Sequence, residues 1–244
     1  LEYPHPLRKG ILIRRYKRFL ADVRWDEGGE ETVHCANPGS MKGCAEPGWK
    51  ILASASPNPD RKLRHTLESV HNGACWIGVN PVLANAVAAE GLRAGAVPEL
   101  AGYPVIEREV RFGEGTRFDF RLSRGGARCF VEVKSVTLLG EDGFSAFPDA
   151  PTARGVKHLR ELLQAKAEGH RAALLFVVQR SDGLRGFRAA SEIDPAYAAA
   201  LRAAHDAGLE IYAHWAEVTR EGVTLTPTRL PILLQVPPWV SPPA

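Results

Sequence analysis

Apolar and polar residues alternate with a period of two through much of the first third of the chain. From Arg18 to Trp25, Phe19, Ala21, Val23 and Trp25 fall on one side, as in a half-buried strand. Asp26-Glu27-Gly28-Gly29, Asn37-Pro38-Gly39-Ser40 and Pro47-Gly48 read as turns. Thr32–Cys35, Trp49–Ser54, Leu63–Val70 and Ala74–Val79 read as further short strands. Short strands with glycine-rich turns over residues 1–80 predict a small β-barrel, with an OB-fold as one candidate.

The period then changes. Pro81 to Gly95 is the first helical stretch, with Val82, Leu83, Ala86, Val87 and Ala89 as its apolar surface and Glu90 as its one acid. Tyr103–Phe112 reads as a strand. Thr116 to Val136 reads as a hairpin turning at Ser123-Arg124-Gly125-Gly126. Leu139 to Ala150 reads as a loop and Thr152 to Glu168 as a helix with Val156, Leu159, Leu163 and Ala167 as its core stripe. Ala172–Val178 is an uninterrupted apolar strand, and Asp194-Pro195 opens a helix to Ala207. Leu209–His214 and a hairpin over Val218–Thr226 follow. The tail from Pro227 has six prolines and is expected to be extended or frayed. The order from residue 81 to 234 is therefore α-β-β-β-α-β and onward, an α/β domain, with residues 235–244 as a proline-rich tail.

The hairpin carries the candidate chemistry. Glu132 and Lys134 lie two residues apart on one face of a strand whose other face holds Val131 and Val133, and Asp119 stands on the neighbouring strand. Carboxylates from two strands suit Mg²⁺ or Mn²⁺, hard ions that keep open water positions. Asp119, Glu132 and the Val133 carbonyl could hold such an ion, with Lys134 orienting a water or offsetting developing charge. The plain alternative is a surface Glu–Lys pair, which strands often carry.

Charge adds a smaller signal. The formal net charge of +3 lies entirely in residues 1–80, which hold 12 Lys/Arg and 9 Asp/Glu. Arg14-Arg15-Tyr16-Lys17-Arg18-Phe19 interleaves cations with aromatics, a pattern that suits a nucleic-acid strand. Equally, the cations could face water while Tyr16 and Phe19 pack inward. Arg154, Lys157, His158 and Arg160 crowd the start of a helix, where a phosphate would relieve them, or water would. The four cysteines form no CxxC and read as buried reduced thiols. No charged-then-apolar leader opens the sequence, and the longest clear apolar run is far too short for a bilayer. A cytoplasmic protein is expected.

The blocks RYKRFLADV (Arg15 to Val23), HCANPGSMKGC (His34 to Cys44), RFDFRL (Arg117 to Leu122), FVEVKSVTL (Phe130 to Leu138) and FPDAPTARGVKHLREL (Phe147 to Leu162) resemble the sugar fermentation stimulation protein A family. The resemblance runs from about Glu2 to Leu234. It implies an OB-like domain followed by a PD-(D/E)xK restriction-endonuclease-like domain. It also implies cytoplasmic DNA binding with little sequence preference and a link to regulation of sugar catabolism. The nuclease-like residues carry over onto Asp119, Glu132 and Lys134, and the extra helix acid of such nucleases onto Glu90, with Glu99 nearby. Two functions are thus expected in competition: a Mg²⁺- or Mn²⁺-dependent DNA phosphodiesterase, with Arg154, Lys157 and His158 holding phosphate, and a non-catalytic DNA-binding regulator.

Overall fold

A computed structural model of the chain describes residues 1–3, 7–113 and 115–234. The expected tail at 235–244 lies outside the described residues.

The barrel is built from β1 (Leu7–Tyr16), β2 (Leu20–Trp25), β3 (Glu30–His34), β4 (Lys50–Ala55) and β5 (His65–His71), with β6 (Trp76–Gly78) added beside β5. Its strand order is β3-β2-β1-β4-β5, and a β3–β5 pairing at His34 and Thr66 closes it, giving an OB-like barrel. Inward residues such as Leu12, Val23, Val33, Ile51, Leu67 and Ile77 fill it. One strand departs from the sequence pattern. Residues 7–16 form β1, so Arg14-Arg15-Tyr16 ends that strand, and Lys17-Arg18 is the hairpin turn into β2. Both turn residues have positive φ, at 48° and 62°. Neither is the Gly, Asn or Asp that usually announces such a turn, so the pattern gave no warning.

The second domain begins with helix α1 (Pro81–Arg93), capped by the Asn80 side chain, which accepts from the Val82 N–H. Strands β7 (Val105–Phe112), β8 (Thr116–Arg124), β9 (Ala127–Val136), β10 (Leu138–Leu139) and β11 (Ser145–Phe147) follow. Then come α2 (Ala153–Ala167), β12 (Arg171–Val178), β13 (Phe187–Ala189), α3 (Pro195–Asp206), β14 (Glu210–Val218), β15 (Val223–Arg229) and β16 (Ile232–Leu233). The main sheet has the order β15-β14-β12-β9-β8-β7, with β12 parallel to both β9 and β14. Helix α1 covers one face and α2 and α3 the other. The segment expected as a loop at 139–150 and part of the expected tail instead supply β10, β11 and β16 of a small second sheet. Pro227 is accommodated in β15, at the margin of the main sheet.

Alternation along β9 decides which side its charged residues face. Val131 and Val133 pack under α1, while Phe130 and Val136 pack under α2 and α3. Glu132 and Lys134 share the parity of Phe130 and therefore look toward α2. The core stripe of α2 is Gly155, Leu159, Leu162 and Ala165, so toward its end it falls one to two residues before the expected Leu163 and Ala167, and Ala167 is exposed. Burying each large core side chain contributes about 1.5–3 kcal/mol, so these two cores fix the sheet on which the candidate residues stand. Among the described residues no helix is long and apolar enough to cross a membrane.

Candidate metal and nucleic-acid site

The site lies where two neighbouring strands part. β8 and β9 pair from Arg124↔Ala127 up to Phe120↔Val131. Phe118 and Phe120, two residues apart, lie in cores on opposite faces of the sheet, so β8 turns over at Asp119. Across on β7, Glu109 has φ +54°, and no Glu109–Asp119 pair forms. The parting leaves the Val133 N–H without a strand partner. Asp119 Oδ2 accepts it at 2.7 Å, and Asp119 Oδ1 accepts from Asn85 Nδ2 of α1 at 2.7 Å. A helix on one face and a strand edge thus fix both oxygens of the carboxylate.

Glu132 is 4% exposed and is approached from the other face. Its Oε1 accepts from Lys134 Nζ at 2.8 Å and meets His158 Nδ1 of α2. Arg154 Nε, one turn earlier on α2, donates to His158 Nε2 at 3.2 Å. That makes Nε2 the acceptor and puts the ring proton on Nδ1, where it is donated to Glu132. Lys134 Nζ, 3.0 Å from His158 Nδ1, is the second donor converging on the same oxygen. Among the described residues Glu132 Oε2 receives no hydrogen bond, which leaves one carboxylate oxygen for another ligand.

The two carboxylates differ in electrostatics. Burial, followed by the charge of Glu132, pushes Asp119 up from 3.8 to about 6. Burial also acts to raise Glu132, but hydrogen bonding from His158 and the charge of Lys134 outweigh it and hold Glu132 below its ordinary value. The cluster therefore has a shortfall of positive charge at Asp119, beside two hard oxygen donors. A divalent cation fits that shortfall and that donor set. No third His, Cys, Asp or Glu joins them in a metal-holding group among the described residues. An ion here would complete its shell with waters, the Val133 carbonyl or substrate oxygens.

The other candidate residues divide. Glu90 is half exposed and its Oε2 pairs with the Leu1 amino group at 2.6 Å. It lies five residues beyond Asn85, about 140° around the helix, and does not join Asp119. The α1 residue that does so is Asn85. An uncharged side chain amid alanines offered no signal beyond its helical spacing. Glu99 pairs with Arg229 at 2.8 Å and is likewise separate from the cluster.

In the barrel, Arg14 pairs with Asp22 at 2.8 Å and lies over the Tyr16 ring, whose hydroxyl also donates to Asp22. Arg15 donates to the carbonyls of Asn37, Gly39 and Ser40 at 2.9, 2.8 and 3.1 Å. Both are committed to the protein's own groups. Lys17 and Arg18 are exposed, and among the described residues their side chains have no hydrogen-bond or ion-pair partner. On α2, Lys157 is exposed and pairs with Glu161 at 3.4 Å. The four cysteines are free and buried.

Residues 13–79 match the family described as the SfsA N-terminal OB domain, and residues 82–222 match the sugar fermentation stimulation protein RE domain. A sugar fermentation stimulation protein homolog of Geobacter sulfurreducens is 50% identical over 94% of this chain and 97% of the relative. One from Citrifermentans bemidjiense is 49% identical over 96% of this chain and 100% of the relative. Among solved structures, one described as "The structure of Pyrococcus Furiosus SfsA in complex with Ca2+" matches with a TM-score of 0.84 at 27% identity, covering 96% of this chain and 98% of that one. With an OB-like barrel, an RE domain and full-length relatives at half identity, the chain belongs to the sugar fermentation stimulation protein family.

Proposed function

We propose that this protein binds DNA with little sequence preference and holds Mg²⁺ or Mn²⁺ between Asp119 and Glu132, at a site for phosphodiester hydrolysis. The observation that carries the proposal is the pair of carboxylates at the β8–β9 parting, Glu132 buried and Asp119 half-buried, with Asp119 lifted to about 6 by burial and its neighbour's charge. The Pyrococcus relative's complex with Ca²⁺, another hard oxygen-seeking ion, supports it. DNA as the partner is supported by the basic excess of residues 1–80 and the exposed cations of α2. The buried free thiols suit a cytoplasmic setting.

When bound, the divalent ion supplies Lewis-acid charge that polarises a phosphodiester and acidifies a coordinated water. Asp119, oriented by Asn85 and the Val133 N–H, and Glu132 would hold it. Lys134, with His158, keeps Glu132 ionised and would offset charge developing on the phosphate oxygens. His158, locked by Arg154 into the Nδ1-protonated form, fixes the Glu132 rotamer. Arg154 and Lys157, exposed on α2, would serve as phosphate contacts.

The test is incubation of purified protein with single-stranded, duplex and branched DNA, with Mg²⁺, Mn²⁺ or chelator. Metal-dependent cleavage, lost in Asp119→Ala, is the expected result. If all substrates are bound and none is cut with either metal, the second reading holds, a non-catalytic DNA-binding regulator of sugar catabolism genes. That reading is favoured by one observation: Lys134 Nζ already contacts Glu132 and His158 rather than standing free.

A further inference from the structure

The β1–β2 hairpin ends in three consecutive exposed residues, Lys17, Arg18 and Phe19. Phe19 is 47% exposed, one of few large apolar side chains left in water among the described residues. The turn is tight, with the Phe19 N–H donating to the Lys17 carbonyl at 2.7 Å. It places two non-glycine residues in the left-handed region, φ 48° and 62°, where Asn-Gly would sit without strain. The turn leaves two long cations and a ring in water.

Contacts link this hairpin to the RE-domain site. Arg15 pins the loop at Asn37, Gly39 and Ser40. In that loop the Ser40 hydroxyl donates to the Asp149 carbonyl at 2.6 Å, and the Met41 N–H donates to Asp149 Oδ2 at 3.0 Å. A Cβ at Gly39 would meet the Asp149 carboxylate, so a larger residue there would have to displace the side chain that the Met41 N–H holds. Asp149 is three residues before Thr152, the N-cap of α2, and α2 brings His158 to Glu132, with Arg154 against His158. The hairpin is thus joined by protein contacts to the helix that carries His158 to Glu132.

We propose that the tip binds an unpaired stretch of DNA, Phe19 stacking on a base and Lys17 and Arg18 contacting the flanking phosphates. The inference rests on the DNA-binding reading above and specifies its substrate as DNA with a single-stranded segment. A ring needs a free base face, which duplex interiors withhold and single strands offer. Phosphates supply the charge that the two unpartnered cations lack. Arg14, Arg15 and Tyr16, spent on internal contacts, do not form this surface.

The experiment measures affinity of the full chain for three fluorescent DNAs of one sequence: single strand, blunt duplex and forked duplex. Wild type is compared with Phe19→Ala, Phe19→Trp and the double variant Lys17→Gln/Arg18→Gln. A 5-iodouracil in the single-stranded arm reports stacking by photocross-linking. Expected are about 10-fold weaker binding of single-stranded and forked DNA by Phe19→Ala with duplex binding kept, rescue by Phe19→Trp, and a shallower salt dependence in the double variant. The cross-link should fall on the hairpin peptide. Equal affinities of wild type and Phe19→Ala for all three DNAs, with no cross-link at the tip, would overturn this proposal and leave DNA binding standing. Absence of binding to any DNA by wild type would remove both.

Discussion

The parting of β8 and β9 and the tip of the β1–β2 hairpin are both short charged stretches on antiparallel strands, yet they come apart in opposite ways. At the first, residues from two strands and two helices converge. Asp119 with Asn85 and the Val133 N–H, and Glu132 with Lys134 and His158, form two adjoining hydrogen-bonded groups on either side of β9. At the second, neighbouring residues diverge. Arg14 and Arg15 turn into the barrel's own networks, and only Lys17, Arg18 and Phe19 remain free. Strand parity holds through Glu132-Val133-Lys134 because β9 is regular there. Parity fails through Arg14 to Phe19 because a turn interrupts it. A charged motif inside one strand can therefore be read as a face, and one that crosses a turn cannot.

Removing the shared donor should sharpen this contrast most. Lys134→Ala leaves the buried Glu132 carboxylate with His158 alone. It is expected to cost about 3 kcal/mol in urea unfolding and to abolish metal-dependent cleavage where wild type cleaves. A loss under about 0.5 kcal/mol would mean that the pair behaves as an exposed one and the convergence is not energetically real.

The next effect is a dependence on pH. Asp119 titrates near 6 in the fold and near 3.8 when unperturbed, so the folded chain holds the extra proton. Its contribution to stability is full below about pH 4 and is lost as pH rises through about 6. Without metal, wild type should lose about 2 kcal/mol relative to Asp119→Asn between pH 4 and pH 7. Chemical denaturation across that range measures it, and saturating Mn²⁺ should remove most of the difference. Parallel pH profiles for the two proteins would place Asp119 outside the electrostatic cluster.

Asn85→Ala removes one of the two donors that orient Asp119. About a tenfold loss of metal affinity is expected, with little change in unfolding free energy. The smallest effect belongs to the hairpin. Arg14→Ala, which breaks a pair at the barrel surface, should leave DNA affinity within about twofold of wild type. A larger fall would return Arg14 to the binding surface and erase the contrast with Lys17 and Arg18.

Much of the RE-domain site was legible because it rests on local periodicity. Alternation in β9 fixed Glu132 beside Lys134, and the hairpin turn at Gly125-Gly126 brought Asp119 near them. The helical pattern from Pro81 located α1 but could not rotate it onto the sheet. Glu90, the helix's one acid, was drawn to the site by charge, while Asn85 faces it because tertiary packing sets the rotation of α1. His158 was visible only as a cation near a helix start. Its contact with Glu132 depends on α2 lying across β9. The short strands β10, β11 and β16 escaped notice because two or three residues carry no measurable period, and their sheet is assembled from distant segments.

The most direct test of the central claim is calorimetry of Mg²⁺ and Mn²⁺ binding to wild type, Asp119→Ala and Glu132→Ala, each with and without a short DNA duplex. Metal binding by wild type that disappears in both variants, while DNA binding persists, is the predicted result. Absence of metal binding by wild type even with DNA present, or undiminished binding in either variant, would contradict the assignment of Asp119 and Glu132 as a metal site.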